Sequence, residues 1–218
     1  MGEIMEPNKN LTGIADTMRE LDLKRDRHQF PYQGLWLFTG SQGSGKTLLM
    51  MHLVAQMHEE FPEALIISNI SIFGLPCIPY TGIQDFYKYN NGEKGIIYII
   101  DEIHTLFSSL QSAKMPESTL TVWSQNRKNR RVILGTSQRF TRVAKGIREQ
   151  TLYNYECSKP LMCFYRYRIL EADLYDDNGR YIGEKQPMWS WYVPRVNVMR
   201  MYNTLEVVRR TEDVNSNN

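Results

Sequence analysis

Apolar positions in this chain fall into short blocks, and the spacing within each block predicts its element. Residues 35–39 (LWLFT) are a short apolar run, read as a strand that feeds a glycine-rich turn. Residues 46–61 set Leu48, Leu49, Met51, Leu53, Val54 and Met57 around most of a helix, which Pro62 ends. A helix apolar on so many sides is mostly buried. Residues 64–69 (ALIISN) and 96–100 (IIYII) read as buried strands, the second apolar throughout and rich in β-branched residues. Residues 131–137 (RVILGTS) predict a further strand and 152–156 an extended segment. Helices are predicted over 81–89, 103–110, 116–128 and 142–149, with Pro116 in a first turn. Strands alternating with helices imply an α/β fold, a parallel sheet covered on both faces.

The two ends of the chain differ from this middle. Residues 1–33 are read as a leader, with Ile14, Met18, Leu21 and Leu23 marking a short amphipathic helix that starts near Thr12. Residues 24–28 form a charged connector. Residues 161–218 are read as a hairpin and tail packed on the same domain as the core, 34–160. In the hairpin, residues 162–175 are the first strand, the Asp-Asp-Asn-Gly of residues 176–179 is the turn, and 180–185 is the return strand. Trp189, Trp191 and Tyr192 add aromatic bulk beside it. Its aromatic face is expected to pack on the domain, in preference to serving as a platform for stacked bases.

Composition narrows the setting without naming a partner. The 218 residues are 42% hydrophobic and 23% charged, which suits one sizeable globular domain. A net charge of +2 is too mild to argue for nucleic acid by itself. Cys77, Cys157 and Cys163 show no metal-ligand spacing, and their odd number fits free thiols in a reducing compartment. No apolar run reaches the roughly 18 residues needed to cross a bilayer, and the polar, acidic amino terminus is no signal peptide. The expectation is a soluble, cytoplasmic protein.

The turn after the first strand carries chemistry. Gly40, Ser41, Gln42, Gly43, Ser44, Gly45, Lys46 and Thr47 fit the phosphate-loop pattern G-x-x-x-x-G-K-[ST]. Such a loop must aim backbone N–H groups at a polyphosphate, which glycine permits, and the next helix offers the same anion its positive end. Lys46 would reach the β- and γ-phosphates of ATP, and the Thr47 hydroxyl would ligate Mg²⁺. The strand 96–100 runs into Asp101-Glu102, at the carboxyl end where open α/β sheets bind ligands. Asp101 suits a Walker B role on Mg²⁺, and Glu102 is the candidate general base that polarises water. Gln138, just after the strand 131–137, would emerge beside Glu102 and contact the γ-phosphate or the attacking water. His104 completes Asp-Glu-Ile-His, but other helicase motifs are missing, so it is read as structural. Tyr98 and Trp123 are read as core.

Charge is unevenly spread. From Thr119 to Arg148 there is no Asp or Glu, while Arg127, Lys128, Arg130, Arg131, Arg139, Arg142, Lys145 and Arg148 all fall there. Three readings stay open: a solvated face, contacts to a nucleic-acid backbone, and arginines that complete a neighbouring subunit's site.

Residues 40–47, 96–102 and 127–138 together resemble the FtsK–HerA superfamily of ring-forming, DNA-pumping ATPases, over roughly residues 34–155. The segment RKNRRVILGTSQ is similar to that superfamily's Arg, turn, apolar strand and Thr- or Ser-Gln ending. The resemblance implies a RecA-like (ASCE) P-loop NTPase with Arg127 as arginine finger, Gln138 as sensor and a homo-hexameric ring. Two branches look nearest. Ser68, Asn69 and Ile70, with Gly146, Ile147 and Arg148, are similar to the zonular-occludens-toxin-like assembly ATPases of filamentous phages. Those carry a membrane-spanning segment after the ATPase domain, which this chain lacks. The compact genome-packaging ATPases of tailless, internal-membrane viruses match it in size.

The leading expectation is therefore a translocase that moves double-stranded DNA on ATP hydrolysis, packaging a viral genome, with a capsid portal or membrane protein as a further partner. The alternative is an assembly or export ATPase that acts on virion proteins. A slowly hydrolysing nucleotide switch is a third reading. The absence of N-K-x-D disfavours GTPases, and the absence of L-S-G-G-Q disfavours transporter subunits.

Overall fold

The computed structural model describes residues 29–106, 130–161, 164–176, 178–184 and 186–202. The expected leader helix, the helix over 116–128, Trp123, Arg127, Lys128 and Cys163 lie outside them.

Eight strands form one sheet: β1 (Gly34–Thr39), β2 (Leu65–Ser68), β3 (Ile78–Pro79), β4 (Ile96–Ile100), β5 (Arg131–Ser137), β6 (Thr151–Ser158), β7 (Tyr165–Glu171) and β8 (Ser190–Tyr192). Their order is β3-β2-β4-β5-β1-β6-β7-β8. Every pair from β3 to β6 is parallel, while β6–β7 and β7–β8 are antiparallel. The apolar runs of the sequence are the central strands, because a parallel strand needs apolar side chains on both faces. Trp36 and Phe38 of β1 enter one core, with Ile97 and Ile99 of β4; Leu35 and Leu37 enter the other, with Ile96, Tyr98 and Ile100.

The helix α1 (Lys46–Glu60) lies on the first face, and its buried set, Leu48 to Val54 and Met57, circles most of its surface. The reason is on its outer side. The short helices α2 (Asp85–Lys88), α3 (Ile103–Leu106) and α4 (Lys145–Arg148) are followed by α5 (Val196–Met199), which packs on α1 with Val198 buried. The chain then bridges back to the stretch after β2, pairing Tyr202 with Ile72. Sequence spacing missed both α5 and β3.

The return strand of the hairpin is not where the turn chemistry placed it. The turn closes, with the Gly179 N–H donating to the Asp176 carbonyl at 2.8 Å, but pairing beyond it is a single Tyr175–Tyr181 bridge. The helical turn Ala172–Leu174 interrupts the first strand before the turn, so residues 180–184 join no ladder among the described residues. Residues 190–192 pair with β7 instead, which buries Tyr192 against Tyr165 and Tyr167.

His52 on α1 is 7% exposed, stacks on Tyr192 and has a buried Nδ1 without a hydrogen-bond partner among the described residues. Burial, and secondarily Arg195, holds its imidazole below the ordinary range, against the pull of Glu59. A histidine whose folded pKa is depressed has its full stability above the unfolded value, about 6.5, and loses it as pH falls towards the folded one. The melting temperature is therefore expected to drop on acidification from about pH 7.5 to about pH 5.5, and to drop less in His52→Gln. Equal pH slopes for the two proteins would remove His52 as the cause.

Candidate active site

The phosphate loop joins β1 to α1 under tight steric control. A Cβ at Gly40 would sit 2.4 Å from the Cys157 carbonyl oxygen on β6, so the loop leaves the sheet only with hydrogen at that position. Gly45, at φ 88, turns the chain into α1, and a Cβ there would meet the Tyr165 ring at 2.4 Å. The Tyr192 hydroxyl donates to the Gly45 carbonyl at 3.3 Å. Both antiparallel strands beyond β6 thus brace the loop from one side.

Lys46 Nζ donates to the Ser41 carbonyl at 2.9 Å, a contact that spans the mouth of the loop. Burial holds the ammonium below its usual range, opposed by Cys157 and by the carboxylates Asp101 and Glu102. A half-desolvated cation facing two acids is poised to gain from an incoming polyphosphate.

Strand order brings the acidic pair opposite. The strand β5 separates β1 from β4, so Asp101 and Glu102 leave the sheet two positions from the phosphate loop. Thr47 Oγ1 nevertheless donates to Asp101 Oδ1 at 3.0 Å. Thr136, buried near the end of β5, donates from Oγ1 to the same Oδ1 at 2.7 Å and accepts the Glu102 N–H at 2.9 Å. Just after β2, Asn69 donates through Nδ2 to the Asp101 carbonyl at 2.9 Å and accepts the Asp101 N–H at 2.7 Å. Glu102 itself sits at φ 52, a left-handed backbone that few non-glycine residues adopt. Strain of this kind persists only where neighbours over-determine it, and Thr136 is one of them.

The remaining predicted residues divide. The Gln138 side chain, just past the carboxyl end of β5, accepts from Arg142 Nη1 at 2.8 Å. His104, read from sequence as structural, has Nδ1 3.4 Å from Ser137 Oγ. Burial lowers its pKa most, followed by an upward pull from Glu102, so it stands among the site's charges. Arg139 and Arg142 are exposed beside Gln138.

Two of the candidate arginines, Arg130 and Arg131, have partners within the chain, away from the phosphate loop. Arg131 begins β5 and Arg130 just precedes it, at the end opposite Gln138. Arg130 donates to Gln29 Oε1 at 2.6 Å, and Arg131, buried, donates to the Tyr89 carbonyl at 2.7 Å. Their guanidinium groups hold neighbouring segments together and do not line the nucleotide site. Lys145 and Arg148 line a cavity of about 360 Å³ together with Glu149, Asp173 and Asp176. The stretch without acids in sequence is thus met by acids in space, because the segment after β7 folds over α4.

Sequence reasoning missed Thr136 and the clamp made by Asn69. The signal available was a polar residue just inside the carboxyl end of an apolar strand, the edge where ligands bind.

A sheet with this strand order, a glycine-rich loop opening a helix and an acidic pair across from it define a P-loop nucleoside triphosphatase. The chain belongs to the AAA family (ATPase family associated with various cellular activities), which it matches over residues 36–157. It is an ATP-hydrolysing enzyme. No curated protein sequence matches it. Among solved structures it is similar to the N-terminal domain of zonular occludens toxin from Neisseria meningitidis, at 18% identity and a TM-score of 0.62, covering 78% of this chain and 98% of that one. It is also similar to the genome packaging NTPase B204 from Sulfolobus turreted icosahedral virus 2 in complex with ATP-gammaS, at 13% identity and a TM-score of 0.52, covering 74% and 97%. At these identities the likeness is one of fold. No helix among the described residues is long and apolar enough to cross a membrane.

Proposed function

We propose that this ATPase is a double-stranded DNA translocase of the FtsK–HerA type that packages a viral genome. The observation that carries the reading is the Thr47–Asp101–Thr136–Glu102 cluster, which pairs a nucleotide cradle with a positioned acid. The fold shared with a genome packaging NTPase supports the choice of cargo. The loop of Gly40 to Thr47 holds the phosphates of ATP, with Lys46 on the β- and γ-groups. The Thr47 hydroxyl and the Asp101 carboxylate are hard oxygen donors 3.0 Å apart, of the kind that holds Mg²⁺ together with substrate phosphates. Mg²⁺, when bound, neutralises charge that develops on the transferred phosphoryl group.

Glu102 accepts the proton of the attacking water and Gln138 orients that water. Arg127 reaches a neighbouring copy's site in a homo-hexameric ring. Arg139 and Arg142, exposed beside Gln138, either follow the DNA backbone or join that composite site. The protein works in the cytoplasm of a host cell, docked to a portal or membrane protein of the assembling particle.

Turnover of ATP is expected to rise with linear duplex DNA and to lose that stimulation steeply between about 50 and 200 mM salt, as backbone contacts require. Identical turnover with and without DNA would sink the translocase reading. It would favour the second one, a phage assembly ATPase acting on virion proteins, which the greater structural overlap with the zonular occludens toxin domain supports.

A further inference from the structure

The sheet's second face changes character beyond β1. Its apolar cluster draws on β1, β2, β4 and β5, and contains no residue of β6, β7 or β8 among the described residues. On the last two strands the pleat separates two sets of side chains. Tyr165, Tyr167 and Tyr192 turn into the core with α1. The alternate positions, Arg166 and Arg168 on β7 and Trp191 on β8, turn the opposite way, with Arg166 directly across from Trp191; Phe164 and Val193 flank the two strands. Phe164 is 45% exposed, Trp191 50% and Val193 63%. The expectation that this aromatic face packs on the domain therefore holds for the tyrosines and fails for Trp191.

The cations on this strip are arranged against rings. The Arg166 guanidinium lies 4.3 Å from the Trp189 ring centroid and 5.7 Å from that of Trp191, and Arg168 lies 4.8 Å from Trp189. Arg168 is neutralised by Glu156 on β6, at 2.5 Å. Arg166 is not: among the described residues it has no carboxylate within ion-pair distance, and its Nε is buried without a hydrogen-bond partner. An open sheet face thus presents two tryptophan rings beside a cation that has no carboxylate partner among the described residues.

We propose that this strip, centred on Arg166 and Trp191, binds single-stranded nucleic acid. Bases stack on the exposed rings, which accept any base because each has a π-face, and a backbone phosphate supplies the charge that Arg166 lacks. Open sheet faces with exposed aromatic residues engage unpaired bases in this way. A duplex keeps its base faces inside the stack and offers the rings nothing. A lipid surface calls for a continuous apolar face, whereas cations interrupt this one. The proposal does not depend on bound nucleotide: β7 and β8 brace the phosphate loop through Tyr165 and Tyr192, whereas Arg166 and Trp191 sit at the alternate positions of the same strands.

The test titrates the full-length protein, without nucleotide, with an oligothymidylate of about 20 nucleotides at low salt. Stacking is expected to quench tryptophan emission. Trp191→Ala is expected to weaken binding about tenfold, the usual size of a lost stacking contact, while leaving the melting temperature and basal ATP turnover unchanged. Arg166→Gln should weaken binding and flatten its salt dependence. A blunt duplex of the same length and vesicles of phosphatidylcholine with phosphatidylserine are the comparison ligands. Unquenched emission with the oligonucleotide overturns the proposal, as does undiminished affinity in Trp191→Ala. So does an emission change produced by the duplex or the vesicles and not by the single strand.

Discussion

Glu102→Gln is expected to lower ATP turnover by about 10²–10⁴-fold, the usual worth of a positioned general base, while ATP binding survives. The substitution keeps the size of the side chain and removes its capacity to take a proton. On the proposed reading the phosphates are held elsewhere, by the loop from Gly40 to Thr47 and by Lys46, whose Nζ already spans the loop mouth. The left-handed backbone at position 102 is set by its N–H bond to Thr136, which the change leaves in place. The variant should melt with the wild type and bind a non-hydrolysable ATP analogue with similar affinity by calorimetry. Turnover within a few-fold of wild type would mean that another group activates the water, and His104, beside Ser137 and electrostatically close to Glu102, would be the first to examine.

Thr136→Val should slow turnover by about tenfold to a hundredfold, with Thr136→Ser close to wild type. One hydroxyl does two jobs here, donating to Asp101 and accepting from the Glu102 N–H. Valine fills the same space and leaves that N–H unpaired, at a cost of about 1–3 kcal/mol, and each 1.4 kcal/mol that falls on the transition state is tenfold in rate. Because the Asp101 carboxylate is then left with Thr47 as its hydrogen-bond partner among the described residues, the Mg²⁺ concentration for half-maximal activity should rise as well. Packing alone would not produce that split. Wild-type rate and Mg²⁺ dependence in the valine variant would show that Thr136 has no role in positioning either acid.

These two residues also mark how far the sequence can be read. Glu102 was legible because its motif is local: an apolar strand, then two acids, with the strand itself announced by IIYII. The phosphate loop was legible for the same reason, its glycines and Lys46 lying within one turn. Thr136 was not, because its meaning lies in contacts to residues 34 and 35 positions away, made only once β5 slots between β1 and β4. Arg131 shows the converse failure. As one member of a basic run it looked available for a partner, and burial at the start of β5 gave it to the Tyr89 carbonyl. In the same way, Lys145 and Arg148 looked unopposed until the segment after β7 brought Asp173 and Asp176 to them. The hairpin return was misplaced because turn chemistry at residues 176–179 is correct locally, yet ladder pairing is decided by which aromatic residue gains burial.

The strap that carries Tyr192, Val198 and Tyr202 over α1 has a consequence for how the enzyme comes into being. A ribosome delivers the phosphate loop, both acids and Gln138 well before it delivers the residues that cover the outer side of the phosphate-binding helix. Through that interval the nascent chain displays a complete nucleotide motif on a helix whose apolar back is bare. A chain cut before residue 192 is therefore expected to leave this helix face bare and to bind nucleotide less well than one that reaches residue 202, which truncation and calorimetry would check.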